Sequence, residues 1–173
     1  MAGIQTPRLL LRPARPSDVI DLHGVLSDRR AMRYWSSLPH ATIAQTRAWL
    51  AEMIAIPADE GEDFVIERDG RVIGKAGFYR FPEIGFILRP DQWGQGLAKE
   101  ALTPIIDRAF RHHGLARIEA DVDPRNDGSL GLLERLGFIR TGFAERTWLI
   151  GREWCDSVYL SLERPIAPSG RSS

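Results

Sequence analysis

The most constraining stretch of this chain lies between residues 83 and 111, where a strand, a glycine turn and a helix follow one another without a linker. Glu83–Leu88 reads as a short strand. Arg89-Pro90-Asp91-Gln92-Trp93-Gly94-Gln95-Gly96 turns the chain, and Leu97, Ala98, Ala101, Leu102, Ile105, Ile106, Ala109 and Phe110 then recur at helical spacing. A helix that opens here leaves its first N–H groups without partners, and its dipole adds positive potential at the same place. Glycine at 94 and 96 lets the main chain approach an anion with no side chain in the way. Lys99 adds a cation just inside the helix. The turn is thus a candidate phosphate cradle, although a tight strand-to-helix turn without a ligand has the same look. Pro104 falls inside the helical run and predicts a kink near Glu100.

The surrounding pattern sets the fold class. Arg8–Arg12 reads as a short strand ended by Pro13. Ser17 and Asp18 can cap a helix carrying Val19, Ile20, Leu22, Val25 and Leu26, and a short helical stretch is expected over Arg29–Tyr34. Thr42 opens a helix through Glu52, with Ile43, Ala44, Trp49 and Leu50 for its buried side. Asp69-Gly70 joins the strands 63–67 and 72–79 into a hairpin. After the central helix, Arg117–Val122 is a strand. Asn126 or Asp127 caps a helix with Leu130, Leu132, Leu133 and Leu136, stopped by Gly137. The segments 138–148 and 154–162 read as a closing antiparallel pair. The expected architecture is a single α/β (α+β) domain over residues 1–164, with a mixed, mostly antiparallel central sheet flanked by helices. The Pro-, Gly- and Ser-containing segment 165–173 reads as a flexible tail.

Composition removes several function classes. At 173 residues the chain is the size of one domain and can bury a full core unaided. Lys plus Arg and Asp plus Glu both number 23, so no strong basic field draws in nucleic acid, and no direct nucleic-acid binding is expected. Cys155 is the one cysteine, which excludes an intramolecular disulfide and a cysteine-based zinc site. No His pair has convincing metal spacing, so no metal is expected. No apolar run approaches the roughly 20 residues a membrane helix needs. Residues 1–5 lack the basic and apolar regions of a signal peptide, and a cytoplasmic location is expected. A Gly-x4-Gly-Lys-Ser/Thr loop is absent, and a dinucleotide fingerprint would need Gly or Ala where Lys99 stands. A nucleotide-binding protein remains a rival, and it predicts ATP or NAD binding that coenzyme A fails to displace.

A second element lies thirty residues on, at Asn126-Asp127-Gly128-Ser129, where another helix opens after another strand. Asn126 fits a plain helix cap there. Taken together, the motifs resemble the GNAT superfamily of N-acetyltransferases, and within it the RimJ/RimL-like ribosomal-protein N-terminal acetyltransferase family. The matching residues are Thr6–Pro13, Tyr34, Trp49-Leu50, Ile84–Leu88, Trp93-Gly94-Gln95-Gly96-Leu97-Ala98 with Glu100-Ala101, Asn126 with Ser129, and Leu136-Gly137-Phe138. They span nearly the whole chain in the family's order. Trp93 stands where the superfamily usually carries Gln or Arg. The resemblance implies acetyl-CoA as cosubstrate. It implies a V-shaped splay between parallel strands 83–88 and 117–122. The pantetheine arm would pair with the main chain at Phe86, Ile87 and Leu88, the diphosphate would sit on residues 93–99, and Asn126 and Ser129 would face the arm and the sulfur.

Acetyl transfer to an amine needs a base for the ammonium proton and an acid for the departing thiolate. A thiol of pKa roughly 8.5 leaves readily, so a weak acid suffices. Many relatives place a Tyr seven residues after the Asn, and here that position is Leu133. Ser129 is the substitute implied by the RimL-like branch. Glu83 and Asp156 are candidates for the base, and Glu145 is a weaker third. Tyr34, Trp35 and Trp148 are expected to shape the acceptor pocket. The acceptor is an amine: a protein or peptide N-terminus, possible ribosomal targets included, or a small molecule such as an antibiotic, polyamine or amino acid. A non-catalytic acyl-CoA-binding sensor on the same fold is the alternative of another class, and either a monomer or a homodimer is compatible with the sequence.

Overall fold

A computed structural model describes residues 3–166. Residues 167–173, most of the expected tail, lie outside that range. Among the described residues, eight strands form one sheet: β1 (Ile4–Gln5), β2 (Leu10–Arg12), β3 (Glu62–Arg68), β4 (Arg71–Arg80), β5 (Glu83–Leu88), β6 (Arg117–Val122), β7 (Ile139–Ile150) and β8 (Glu153–Glu163), in the order β1-β2-β3-β4-β5-β6-β8-β7. Four helices cover it: α1 (Val19–Leu26), α2 (Ile43–Ile54), α3 (Leu97–Arg111) and α4 (Asp127–Arg135).

Local sequence explains the elements. Asp69 and Gly70 have φ of 51° and 76°, so the β3–β4 turn uses two left-handed residues, as tight hairpins with the right twist require. Thr42 accepts from the Gln45 amide, and Gln45 reaches back to the backbone of Thr42, a reciprocal cap that starts α2. The helix expected over Arg29–Tyr34 is absent; the segment is a run of turns. Asp28 captures the amides of Arg30 and Ala31 with its carboxylate, which offers the backbone a turn in place of a helical ladder. Ala44 is exposed, and the buried side of α2 carries Thr46, Leu50 and Met53. α3 runs through Pro104 as a single helix; the proline leaves the Glu100 carbonyl without its helical donor.

Alternation along the strands sorts side chains onto two faces. Ile84 and Leu88 of β5, and Ile118, Ala120 and Val122 of β6, join the large core under α3 and α4. Ile87 faces the other way, with Val25, Leu26 and Met32. Every neighbouring pair in the sheet is antiparallel except β5 and β6. That parallel pair has one registered contact, Glu83 with Glu119, supported by a 3.0 Å bond from the Glu119 amide to the Pro82 carbonyl. Beyond it the strands diverge. The core of the domain thus holds open a V whose two arms end at the first turns of α3 and α4.

Candidate active site

The first wall of the V is β5. Its ladder with β4 matches Lys75 to Ile87 and Gly77 to Gly85, and it continues with the Arg89 amide donating to the Ile73 carbonyl at 2.8 Å. Antiparallel ladders alternate, so the N–H and C=O of Ile87 point at β4, while those of Phe86 and Leu88 point into the V. The Leu88 carbonyl is taken by Trp93 Nε1 at 3.0 Å. Phe86 and Leu88 thus offer strand amides to a ligand, whereas the main chain of Ile87 is already committed.

The turn that follows is exposed from Trp93 to Gly96. Gly94 and Gly96 have φ of 70° and 74°, left-handed values that glycine adopts freely. Among the described residues nothing accepts a hydrogen bond from the N–H groups of residues 94 to 99; the first helical bond of α3 runs from Glu100 to the Gly96 carbonyl. Six consecutive amides are therefore free at a helix N-terminus. The loop is held from behind. Arg8 Nη1 donates to the Gln95 carbonyl at 2.8 Å, and Arg68 Nη1 donates to the side-chain carbonyls of Gln95 and Gln92 at 2.8 and 2.9 Å. Glu100 accepts from Thr6 Oγ1 and the Arg8 amide at 2.7 and 2.8 Å. The side chain of Gln95 is thus tied up within the protein, and its backbone N–H is left unpaired among the described residues. Lys99 is exposed one turn in. Sequence reasoning missed Arg8 and Arg68 as supports of this loop.

The second wall is β6 and the start of α4. Asn126 Oδ1 accepts from the Ser129 amide at 3.2 Å, so Asn126 caps α4. Ser129 is half-buried in the first turn, and Leu133 is fully buried in the core.

On the sheet face opposite α3 and α4 lies a cavity of about 240 Å³, open to solvent. Its walls bring together Tyr34, Trp35, Trp148 and Asp156. Ser129, Glu83 and Glu145 do not line it. Three further carboxylates do: Asp121, Asp123 and Glu153. Asp121 accepts from Trp148 Nε1 at 3.0 Å. Arg125 grips both oxygens of Asp123 at 2.9 and 2.7 Å, bonds Glu153, and lies 5.7 Å from the centroid of the Tyr34 ring. Burial raises the pKa of Asp123, but the Arg125 hydrogen bonds outweigh it and hold the carboxyl below its ordinary range. Asp156 Oδ1 accepts from the Arg146 amide at 2.8 Å, within a β-bulge where Arg146 adopts φ of 53°. Glu83 sits at the base of the V. Glu83 is exposed, but desolvation by the protein around its carboxyl, then the charges of Asp121 and Glu119, push its pKa above the usual carboxylate range.

A strand-walled V with free amides along one arm and a free helix N-terminus at its end offers donors to an extended ligand with an anionic end. The family profile described as "Acetyltransferase (GNAT) domain" matches residues 8–139. The chain belongs to the GNAT acetyltransferase family. An uncharacterized N-acetyltransferase, p20, of Bacillus licheniformis is 33% identical over 152 residues, covering 82% of this chain and 85% of that protein. The [ribosomal protein uS5]-alanine N-acetyltransferase of Escherichia coli is 28% identical, covering 97% of this chain and 94% of that one. The crystal structure of a GNAT-family acetyltransferase from Bacillus anthracis superposes with a TM-score of 0.82 at 26% identity, over 94% of this chain and 98% of that one. This GNAT chain is an N-acetyltransferase, an enzyme class that uses acetyl-CoA. No described helix is long and apolar enough to cross a membrane.

Proposed function

We propose that this GNAT enzyme acetylates the N-terminal α-amine of a protein or peptide, with a ribosomal protein as the favoured class. The reading rests on the similarity to the uS5-alanine N-acetyltransferase over nearly the full length of both chains. The observation that carries cosubstrate use is the row of six free amides at 94–99 beside the strand amides of Phe86 and Leu88. Bound acetyl-CoA supplies an activated acetyl thioester. The amides of 94–99 and the Lys99 ammonium hold its diphosphate, and the β5 main chain pairs with its arm as an added strand would. The Phe86 amide polarises the thioester carbonyl.

On the acceptor side, Tyr34, Trp35 and Trp148 wall the amine. Asp121 and Asp156 attract it as an ammonium ion. An ammonium in a carboxylate-rich pocket gives up its proton reluctantly, so the base must be stronger than an ordinary carboxylate. Glu83 meets that need because its surroundings disfavour its charge, and since it lies outside the cavity wall it takes the proton through a water. Asp156 is the second candidate for this role. Ser129, in the first turn of α4, steadies the departing thiolate with a hydrogen bond from its hydroxyl, and the proton that the base removes from the ammonium ends on the thiol.

A small cationic amine is the second reading, favoured by Asp121 and Asp156; the cavity also carries Arg29 and Arg33, and its other two carboxylates, Asp123 and Glu153, are paired with Arg125. Thiol release from acetyl-CoA with purified protein separates the two. Alanine- and serine-led peptides should give kcat/KM at least tenfold above polyamines and aminoglycosides; the reverse order assigns the small amine. Coenzyme A binding without thiol release from any acceptor would return the chain to a sensor role.

A further inference from the structure

Beneath the acceptor pocket lies an ion pair that the transfer chemistry does not use. Lys75 on β4 and Asp63 on β3 meet at 2.7 Å, with side chains 4% and 2% exposed. The other oxygen of Asp63, Oδ1, has no hydrogen-bond partner among the described residues and is packed beside the backbone of Gly77. A pair buried in this way gains little stability, because desolvation offsets the attraction; well-packed apolar side chains serve a core as well or better. Its position suggests what it does. Lys75 Nζ lies 5.6 Å from the centroid of the Trp35 indole. Gly85 of β5 completes the cluster: a methyl built on it would meet both Lys75 Nζ and the tip of Trp35 at 3.9 Å. Trp35 in turn lines the acceptor cavity. Its amide donates to the Met32 carbonyl at 3.1 Å and its side chain packs against the cluster of Val25, Leu26, Met32 and Ile87, while Lys75 and Gly85 meet the ring from the other side.

We propose that Lys75, anchored by Asp63, is a positioning residue that fixes the Trp35 indole against Gly85 and so sets the wall of the acceptor pocket. The ammonium holds the ring through its π face, an attraction that strengthens when the cation is desolvated. The inference rests on the cavity being the acceptor site, and its first test needs neither acetyl-CoA nor an acceptor.

The experiment compares the wild type with the Asp63→Leu/Lys75→Met pair, each with and without Trp35→Phe. The difference isolates the emission of Trp35, and acrylamide quenching reads its exposure. The expected result is a quenching constant for Trp35 about threefold higher in the apolar pair, with an unchanged or raised melting temperature and unchanged coenzyme A affinity by calorimetry. With an alanine-led peptide as probe, KM should rise while kcat holds. Unchanged quenching of Trp35 would overturn the proposal. Should the double replacement not fold, Lys75→Gln keeps a donor for Asp63, removes the charge, and must show the same rise in quenching. Unaltered Trp35 emission with full thiol release sinks the positioning role alone, whereas altered emission without thiol release from any acceptor sinks the acetyl-transfer reading alone.

Discussion

The indole of Trp148 on β7 donates to the carboxylate of Asp121 on β6, 3.0 Å apart across β8, which lies between their strands. The bond holds one acid of the proposed acceptor pocket in place and draws on part of its charge. Trp148→Phe keeps the ring and removes the donor. Acceptor KM should change about tenfold, the scale of a hydrogen bond to a charged group, while coenzyme A affinity stays constant. Initial-rate kinetics beside calorimetry check this.

Glu83 supplies a pH signature. The limb of kcat/KM that rises with pH should lie above the ordinary carboxylate range, because desolvation by nearby protein and the charges of Asp121 and Glu119 disfavour the ionised form. Glu83→Gln should lower kcat by about 10²-fold and abolish that limb. The same group carries a stability effect of opposite sign. Its folded pKa is raised, so its contribution is present below the unfolded value and is lost as pH rises through the folded one. Glu83→Gln should therefore melt at a higher temperature than the wild type at neutral pH, and the gain should fade in acid.

Glu62 gives the converse case. Burial raises its pKa, but hydrogen bonds from Arg108 and His113 at 2.7 to 2.9 Å more than offset this and lower it. Its stabilisation is present above the unfolded value and is lost as pH falls through the folded one. Glu62→Gln should cost about 2 kcal/mol at neutral pH. The difference from wild type should vanish in acid, as denaturant titrations at several pH values would show.

The loop glycines carry the last prediction. A methyl at Gly94 meets nothing within 4 Å, and one at Gly96 meets only Arg8 at 3.7 Å. Their φ of 70° and 74° nonetheless strains any other residue, by about 1–2 kcal/mol. Gly96→Ala should weaken coenzyme A binding about tenfold, since relief of that strain turns the amides away. Gly24→Ala, in helix α1 with no atom within 4 Å of its methyl, should leave affinity untouched.

Much of the frame was legible in the residues. The strands Glu83–Leu88 and Arg117–Val122 have the bounds expected of them, the second by its apolar alternation, and the glycine turn sits between strand and helix as its composition implies. β1 was missed because two residues carry no periodicity. Asp121, Asp123 and Glu153 of the cavity were also missed, although two of them left a signal: Asp121 and Asp123, with Glu119, alternate with Ile118, Ala120 and Val122, so one face of the strand is apolar and the other acidic. The Arg125 clasp and the Lys75–Asp63 pair had no such trace. The first depends on Glu153, 28 residues from Arg125, folding back beside it; the second spans only the β3–β4 hairpin, but charged residues in a strand pattern look exposed until both faces of the sheet are covered.

The lone rung between Glu83 and Glu119 makes the sheet two plates joined along a single seam. Whatever lies in the gap stitches the plates as a missing strand would. Loading the enzyme should then slow amide exchange far from the ligand, in β4 and β8 alike, because a cosubstrate in this position also serves as a mechanical part of the protein.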